Sequence, residues 1–247
     1  MHQFHAPYGQ YGNTSEDSFE FTPDAKRVRH YLYEHFIAHG VGPDLATILE
    51  DLQLDQARTW EALHQLERAN FVVFTPGTED ILKVPPFSSA PTRHQVTAED
   101  GRRWYAGCAG EACSLSALVP GVQVTVKSTC PDCWEPIIFE ARDRDFLAIT
   151  PESAVIHIGT HPANFRRDWL VTCDSINFFR SPAHVAEWEE AVPERKGVHF
   201  PIQLGMQWTD FSARVRYWDY DRPSNQYVPG AMAKSLQDLG ADVSVWQ

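Results

Sequence analysis

A proline-rich segment divides this sequence into two parts of different character. Residues 84–92 read Val-Pro-Pro-Phe-Ser-Ser-Ala-Pro-Thr, and neither a helix interior nor a central strand accommodates prolines at this density. Apolar residues recur at helical spacing before this segment, whereas short runs bounded by turn residues follow it. We therefore predict an α+β protein with a loose tail (residues 1–22), a helical domain (23–84) and a mixed β-sheet core with flanking helices (85–247), which ends in a Trp/Tyr-rich extension.

The helical domain has the pattern of a winged helix. Three helices are predicted over 23–39, 44–52 and 55–69, followed by two strands at 71–74 and 81–84. A winged helix binds DNA through its third helix, but here that helix carries two arginines against three carboxylates, and the whole chain has a net charge of −12. Nucleic acid and anionic membranes both attract basic surfaces. We therefore expect neither as a partner, and a structural or substrate-covering role for this domain.

The core after the connector is predicted to combine several strands with a few helices. Strands are expected from residue 94 and over 122–128, 137–140, 146–149 and 155–157, and helices over 104–118, from an N-cap at Ser181 and near 231–239.

The sequence shows neither an export signal nor a membrane span. Its first residues lack the basic and then apolar regions of a secretory signal, and no apolar run approaches the ~20 residues that cross a bilayer. We expect a cytoplasmic protein that does not enter the membrane.

Five cysteines carry the most chemical information in the chain. They are Cys108, Cys113, Cys130, Cys133 and Cys173. The number is odd and no export signal is recognised, so metal binding or thiol chemistry is a better expectation than a disulfide framework. In Cys108-Ala-Gly-Glu111 a helix would place a soft thiol and a carboxyl on one face, where burial would turn the carboxyl into a proton donor.

A structural zinc site is the alternative interpretation of the same cysteines. Cys130-Pro-Asp-Cys133 has a chelating spacing, and together with Cys108 and Cys113 it forms C-x4-C-x16-C-x2-C, which is close to a zinc-ribbon pattern. Against this, zinc knuckles are usually tight turns, whereas the segment around Cys108 has a helical pattern.

Four segments resemble the alkylmercury (organomercurial) lyase family. They are the run from Pro85 to Val96, the two motifs Gly-Arg-Arg-Trp-Tyr-Ala-Gly-Cys-Ala-Gly-Glu-Ala and Val-Thr-Val-Lys-Ser-Thr-Cys-Pro, and Cys-Asp-Ser-Ile-Asn-Phe-Phe with the helix after it. The resemblance implies that Cys108 and Cys173 are the catalytic cysteines and that Cys130 is structural. Glu111 stands where the family typically has aspartate and reaches roughly 1.5 Å further, and Cys113 is an additional thiol.

The resemblance also implies a reaction, protonolysis of a carbon–mercury bond. Two thiolates would bind mercury and weaken its bond to carbon, while the carboxyl of Glu111 would accept a thiol proton and deliver it to the leaving carbon. The sulfur atoms of Cys108 and Cys173 should then lie about 4–5 Å apart, since each metal–sulfur bond is roughly 2.3–2.5 Å. Aromatic residues near the motifs are candidates for the wall that receives the organic group: Trp104, Tyr105, Phe178 and Phe179.

This interpretation predicts a small organomercurial as substrate, no cofactor, and cellular thiols or a mercuric reductase as acceptors of Hg(II). Two alternatives remain open. One is a non-enzymatic protein of the same fold that holds zinc through Cys108, Cys113, Cys130 and Cys133. The other is an enzyme for a different organometalloid or organic substrate, with Cys108 as nucleophile and Glu111 as acid and base.

Overall fold

The structure, a computed structural model, describes residues 21–143, 145–164, 169–213 and 229–246. Almost all of the predicted N-terminal tail and part of the Trp/Tyr-rich C-terminal region lie outside these residues.

The three N-terminal helices are confirmed, with ends set by local capping. They are α1 (Pro23–His39), α2 (Leu45–Leu52) and α3 (Gln56–Arg68). Each begins at a side-chain oxygen that accepts a backbone N–H of the first turn, from Thr22, Asp44 and Asp55 respectively. Helix α1 ends at Gly40, whose φ of 78° is favourable only for residues such as glycine.

One large antiparallel sheet forms the centre of the molecule. Its strands are β1 (Val73–Phe74), β2 (Ile81–Val84), β3 (Phe87–Ser88), β4 (Gln95–Ala98), β5 (Arg103–Ala106), β6 (Gln123–Thr129), β7 (Pro136–Arg142) and β8 (Asp145–Thr150). Their order in the sheet is β1-β2-β3-β5-β4-β6-β7-β8. The α+β class is therefore confirmed. The prediction of a mixed sheet is wrong, because the described strands are joined mainly by short turns and all pair antiparallel.

The sheet continues across the proline-rich connector. Lys83 in β2 pairs with Ser88 in β3, and β3 pairs with β5 in the core. The connector is also held by the helices, since the Tyr33 hydroxyl donates to the Pro85 carbonyl at 2.8 Å. The hairpin that was predicted as a wing is thus one edge of the sheet that also contains the strands around the cysteines.

The C-terminal half of the chain contains a second sheet, with three strands. It consists of β9 (Val155–Ile158) between β10 (Ile176–Phe179) and β11 (Val198–Pro201). The remaining helices are α4 (Ala109–Ser114), α5 (Trp169–Asp174), α6 (Pro182–Ala191), α7 (Ile202–Ala213) and α8 (Pro229–Asp238). The N-cap of α6 is Ser181, as predicted. Within the described residues, no helix has both the length and the apolarity needed to cross a membrane.

The prediction of one helix over 104–118 is wrong. Residues 103–106 form β5, α4 begins only at Ala109, and residues 115–118 form a 3₁₀ turn. Pairing with strands on both sides decides the conformation of β5, in which Trp104 and Ala106 face the core while Arg103 is exposed. A run of small residues satisfied the helical pattern, but tertiary pairing outweighs such weak local preferences.

Candidate active site

The turn from β5 into α4 places Cys108 at the start of a short helix. Its backbone is extended (φ −157°), and it is the N-cap of α4 rather than a residue inside the helix. Its sulfur accepts the backbone N–H of Glu111 at 3.4 Å. This cap orients the thiol toward the first turn of α4, where Glu111 lies.

Helix α5 brings Cys173 to the same point. One sulfur or carboxylate oxygen from each of Cys108, Glu111 and Cys173 lies within 4.8 Å of the other two, and the distance from Cys173 Sγ to Glu111 Oε2 is 3.9 Å. All three residues are buried. The structure therefore brings together the three residues predicted from the sequence, with the two sulfurs no more than 4.8 Å apart, close enough for both to bind one mercury ion.

Sequence reasoning missed a fourth member of this cluster, Lys83. This lysine on β2 is only 7% exposed, and it is hydrogen-bonded to the Cys173 thiol. Burial acts to lower the pKa of Lys83, but attraction to Cys173, Glu111 and Cys108 in their ionised forms outweighs it and leaves the pKa raised. A lysine in an otherwise apolar strand, Ile-Leu-Lys-Val, was the available sequence signal, because such residues are almost never fully buried unless paired.

Lys83 lies close to the carboxyl of Glu111. A Cβ atom added to Gly107 would be 2.1 Å from Glu111 Oε2 and 3.2 Å from Lys83 Nζ, so the two charged atoms are at most about 5.3 Å apart, the sum of these distances. The glycine is needed here because a side chain would occupy the space of the carboxylate. A buried ammonium thus faces two thiols and a carboxyl.

The thiol of Cys108 is held protonated by its surroundings. Burial is the largest cause that raises its pKa, and the hydrogen bond with Cys173 and the charge of Glu111 raise the pKa further. Nearby His94 adds no charge, because burial and then the positive charges of Arg93 and Lys83 lower its pKa to about 3. Lys83 is therefore the positive group that can stabilise a thiolate when one forms.

The four-cysteine zinc arrangement is not formed in this structure. Cys108 belongs to the cluster with Glu111, whereas Cys133 lies in a separate group with Asp132 and His184. Cys113 is buried in α4, and burial raises the pKa of its thiol. The spacing of the four cysteines predicts a single zinc site, but Cys130 and Cys133 lie in the loop between β6 and β7, apart from Cys108 and Cys113.

The four aromatic residues predicted as a substrate wall do not form one surface. Trp104 is buried, and its indole N–H donates to the Phe36 carbonyl of α1 at 2.8 Å. Phe178 and Phe179 are successive residues of β10 and point to opposite faces, Phe178 toward Phe139 and Phe179 toward the ring of His157.

Tyr105 is half-buried on β5. An aromatic residue that sequence reasoning did not select, Trp208 of α7, lies beside the cluster. A Cβ added to Gly110 would contact Trp208 Cζ3 at 3.4 Å and Cys108 Sγ at 3.9 Å.

Comparison with known proteins identifies the family of this fold and cluster. The family model described as alkylmercury lyase matches residues 87–210, a region that contains both clustered cysteines and Glu111 but begins after Lys83. This match covers half of the chain, and the chain therefore belongs to the alkylmercury lyase family.

Two relatives and one solved structure illustrate the similarity. The alkylmercury lyases of Bacillus cereus and of Clostridium butyricum are each 31% identical over 117 residues, which is 47% of this chain and 52% of each relative. The chain thus matches about half the length of these relatives. A crystal structure described as the mercury-bound form of MerB2 shares the fold, with a TM-score of 0.65, 21% identity, and coverage of 79% of this chain and 92% of that one.

Proposed function

We propose that this protein cleaves the carbon–mercury bond of small organomercurials by protonolysis. The observation that carries the proposal is the buried cluster in which donor atoms of Cys108, Glu111 and Cys173 all lie within 4.8 Å of one another. Two thiols are soft ligands suited to mercury, and the carboxyl beside them is an acid that can protonate a carbon bound to that mercury.

Mercury binding is the first chemical step. An organomercurial enters as a thiol adduct, and the sulfur of Cys108 or Cys173 replaces the carrier thiol, which leaves with one cysteine proton. The second cysteine then adds its sulfur to mercury. Electron density from two thiolates weakens the mercury–carbon bond and makes the carbon more basic, because thiolates are strong electron donors to a soft cation.

Glu111 transfers the second proton. Its Oε2 lies 3.9 Å from Cys173 Sγ, so its carboxylate can accept the thiol proton as the sulfur binds mercury and then donate that proton to the leaving carbon. The products are a hydrocarbon and Hg(II) held by two cysteine thiolates. Both cysteine protons are accounted for: one leaves with the carrier thiol and the other with the hydrocarbon.

Lys83 stabilises the charged intermediates of this sequence. Removing protons from two buried thiols creates negative charge in a region that excludes water, which is costly without a counter-charge. The ammonium of Lys83, hydrogen-bonded to Cys173, supplies that counter-charge before mercury arrives. We expect small thiols or a mercuric reductase to remove Hg(II) afterwards, in the cytoplasm.

Release of benzene from phenylmercury in excess thiol tests the proposal. We expect the wild type to release benzene, detected by gas chromatography, and Cys108→Ser and Cys173→Ser to release none. Glu111→Gln should lose about 10²- to 10⁴-fold in rate, the range of general acid–base catalysis, while still retaining Hg(II). Glu187→Gln, an exposed change on α6, is the matched control. If neither the wild type nor Glu111→Asp releases benzene, the proposal is wrong.

A further inference from the structure

The loop between β6 and β7 carries two cysteines that the proposed reaction does not use. Residues 130–135 read Cys-Pro-Asp-Cys-Trp-Glu. The loop is closed by two backbone hydrogen bonds, from the Cys130 N–H to the Glu135 carbonyl at 3.0 Å and from the Trp134 N–H to the Cys130 carbonyl at 2.9 Å. Trp134 follows the second cysteine with φ of 61°, in the left-handed region that rarely accommodates a bulky residue. The loop is thus a tight knuckle between two strands.

The sulfur of Cys130 is surrounded by hydrogen-bond donors. The backbone N–H groups of Cys133, Arg180 and Asp132 are directed at this sulfur. The side chain of Cys133 is also hydrogen-bonded to it. Peptide N–H groups directed at a sulfur stabilise a metal-bound thiolate, since they complement its negative charge.

Two further donor groups meet this knuckle. One atom from each of Asp132, Cys133 and His184 lies within 4.8 Å of the other two, and all three residues are half-buried, so an ion from solvent can reach them. His184 lies in the first turn of α6, with Nδ1 2.9 Å from the Ser181 hydroxyl. When Nδ1–H donates to Ser181, Nε2 is left with the lone pair that metals bind, and this arrangement is usual for ligating histidines.

The geometry points to a second metal site at Cys130, Cys133, His184 and Asp132, which takes a Zn²⁺-type divalent cation. Two sulfurs, one imidazole nitrogen and one carboxylate oxygen form the four-donor set that Zn²⁺ accepts in tetrahedral sites. Asp132, Cys133 and His184 already present donor atoms within 4.8 Å of one another. Cys130 lies outside that group and completes the set through its C-x-x-C spacing with Cys133. Bond lengths of roughly 2.3 Å to sulfur and 2.0–2.2 Å to nitrogen and oxygen require the donors to move closer together when the ion binds. This site uses neither Cys108 nor Cys113.

The metal would connect parts of the chain that lie far apart in sequence. It would join the β6–β7 loop to the first turn of α6, and through the Arg180 N–H to the end of β10. Strand β10 follows helix α5, which carries Cys173. The site therefore holds in place the segment on which the second cysteine of the candidate active site depends, although its own existence does not depend on mercury chemistry.

Cobalt substitution in a variant that lacks the two thiols of the candidate active site tests this inference. Full-length protein carrying Cys108→Ser and Cys173→Ser is stripped with chelator under reducing conditions and titrated with Co²⁺. We expect one Co²⁺ per chain, with the intense visible bands of tetrahedral cobalt, sulfur-to-cobalt charge transfer, and displacement of the cobalt by Zn²⁺. In this background, Cys133→Ser should abolish the bands. His184→Gln should weaken binding at least about tenfold, since loss of even an outer partner costs that much.

Controls make each outcome decisive. His30→Gln changes an exposed histidine of α1 and should leave cobalt binding unchanged. Circular dichroism shows whether each variant is folded. If Cys133→Ser does not fold, the loss of cobalt binding in His184→Gln, a change on the surface of α6, is used as the test instead. Absent bands in the double-serine background, bands that survive Cys133→Ser in folded protein, or cobalt displaced by Hg²⁺ and not by Zn²⁺ would each overturn the assignment.

Discussion

Replacing Lys83 with methionine removes a buried positive charge from the candidate active site and leaves a side chain of similar length. Burial acts to lower the pKa of this lysine, but attraction to Cys173, Glu111 and Cys108 in their ionised forms outweighs it and raises the pKa. These attractions are mutual. If the thiolates and the carboxylate favour the charged lysine, the charged lysine must favour the thiolates and the carboxylate by the same free energy.

The structure sets the size of the effect. The Lys83 ammonium and the Glu111 carboxylate are at most about 5.3 Å apart, and at this distance two unit charges interact by about 3 kcal/mol with an effective dielectric constant near 20. That energy corresponds to about 2 pKa units. A nearby cation lowers the pKa of an acid, so its removal raises the pKa values of the cluster, and the thiolate forms only at higher pH.

The assay follows thiolate formation and activity in parallel. Alkylation by iodoacetamide as a function of pH, with peptide mass mapping to assign each adduct, reports thiolate at Cys108 and Cys173. Benzene release from phenylmercury over the same pH range reports turnover. We expect both profiles of Lys83→Met to move to higher pH, because the thiolates lose the counter-charge that stabilises them. Lys127→Met, on the exposed face of β6, should leave both profiles unchanged.

Either of two results would refute this reasoning. If folded Lys83→Met shows wild-type profiles for both alkylation and turnover, the lysine contributes no useful charge. If Lys127→Met shifts the profiles equally, the effect belongs to the charge of the whole protein and not to the cluster.

Two further variants test the positioning of the site and its connection to the helices. Gly107→Ala should displace the Glu111 carboxylate by about 1 Å or more, because the new Cβ would lie 2.1 Å from Oε2. We expect the rate of benzene release to fall about a hundredfold, with little change in the urea midpoint of unfolding. An unchanged rate would contradict the placement of Glu111. Trp104→Phe removes the indole hydrogen bond to the Phe36 carbonyl, which keeps the Gly40 N–H as a donor. It should lower the free energy of unfolding in urea titration by about 0.5–1.5 kcal/mol, the net contribution of one hydrogen bond. An unchanged free energy would mean that this bond does not stabilise the protein.

Local signals in the sequence predicted much of the secondary structure. The N-terminal helices and α6 begin at capping residues, since Thr22 and Ser181 each stand before a proline that can occupy the first helical position. The pairing of Cys108 with Glu111 follows from their spacing near a helix start. The proximity of Cys173 was implied by family resemblance, because a lone cysteine in an apolar stretch contains no local information about its neighbours.

Contacts between residues distant in sequence account for what the sequence did not predict. Residues 103–106 become a strand because β3 and β4 pair with them, and no local pattern encodes such pairing. The role of Trp104 changes for the same reason, as α1 supplies the acceptor of its indole N–H. His184 was not associated with the knuckle cysteines because about fifty residues separate them.

The continuous sheet has a consequence for how this chain is divided and compared. A fragment limited to residues 87–210, the stretch that the family model matches, would contain the clustered thiols and Glu111 but would omit β2 and with it Lys83. Such a fragment would also expose the edge of β3, to which β2 is hydrogen-bonded, as an unpaired strand prone to aggregation. An inactive fragment would therefore say little about the cysteines, and an inventory of functional residues taken from the matched stretch alone would lack the positive charge.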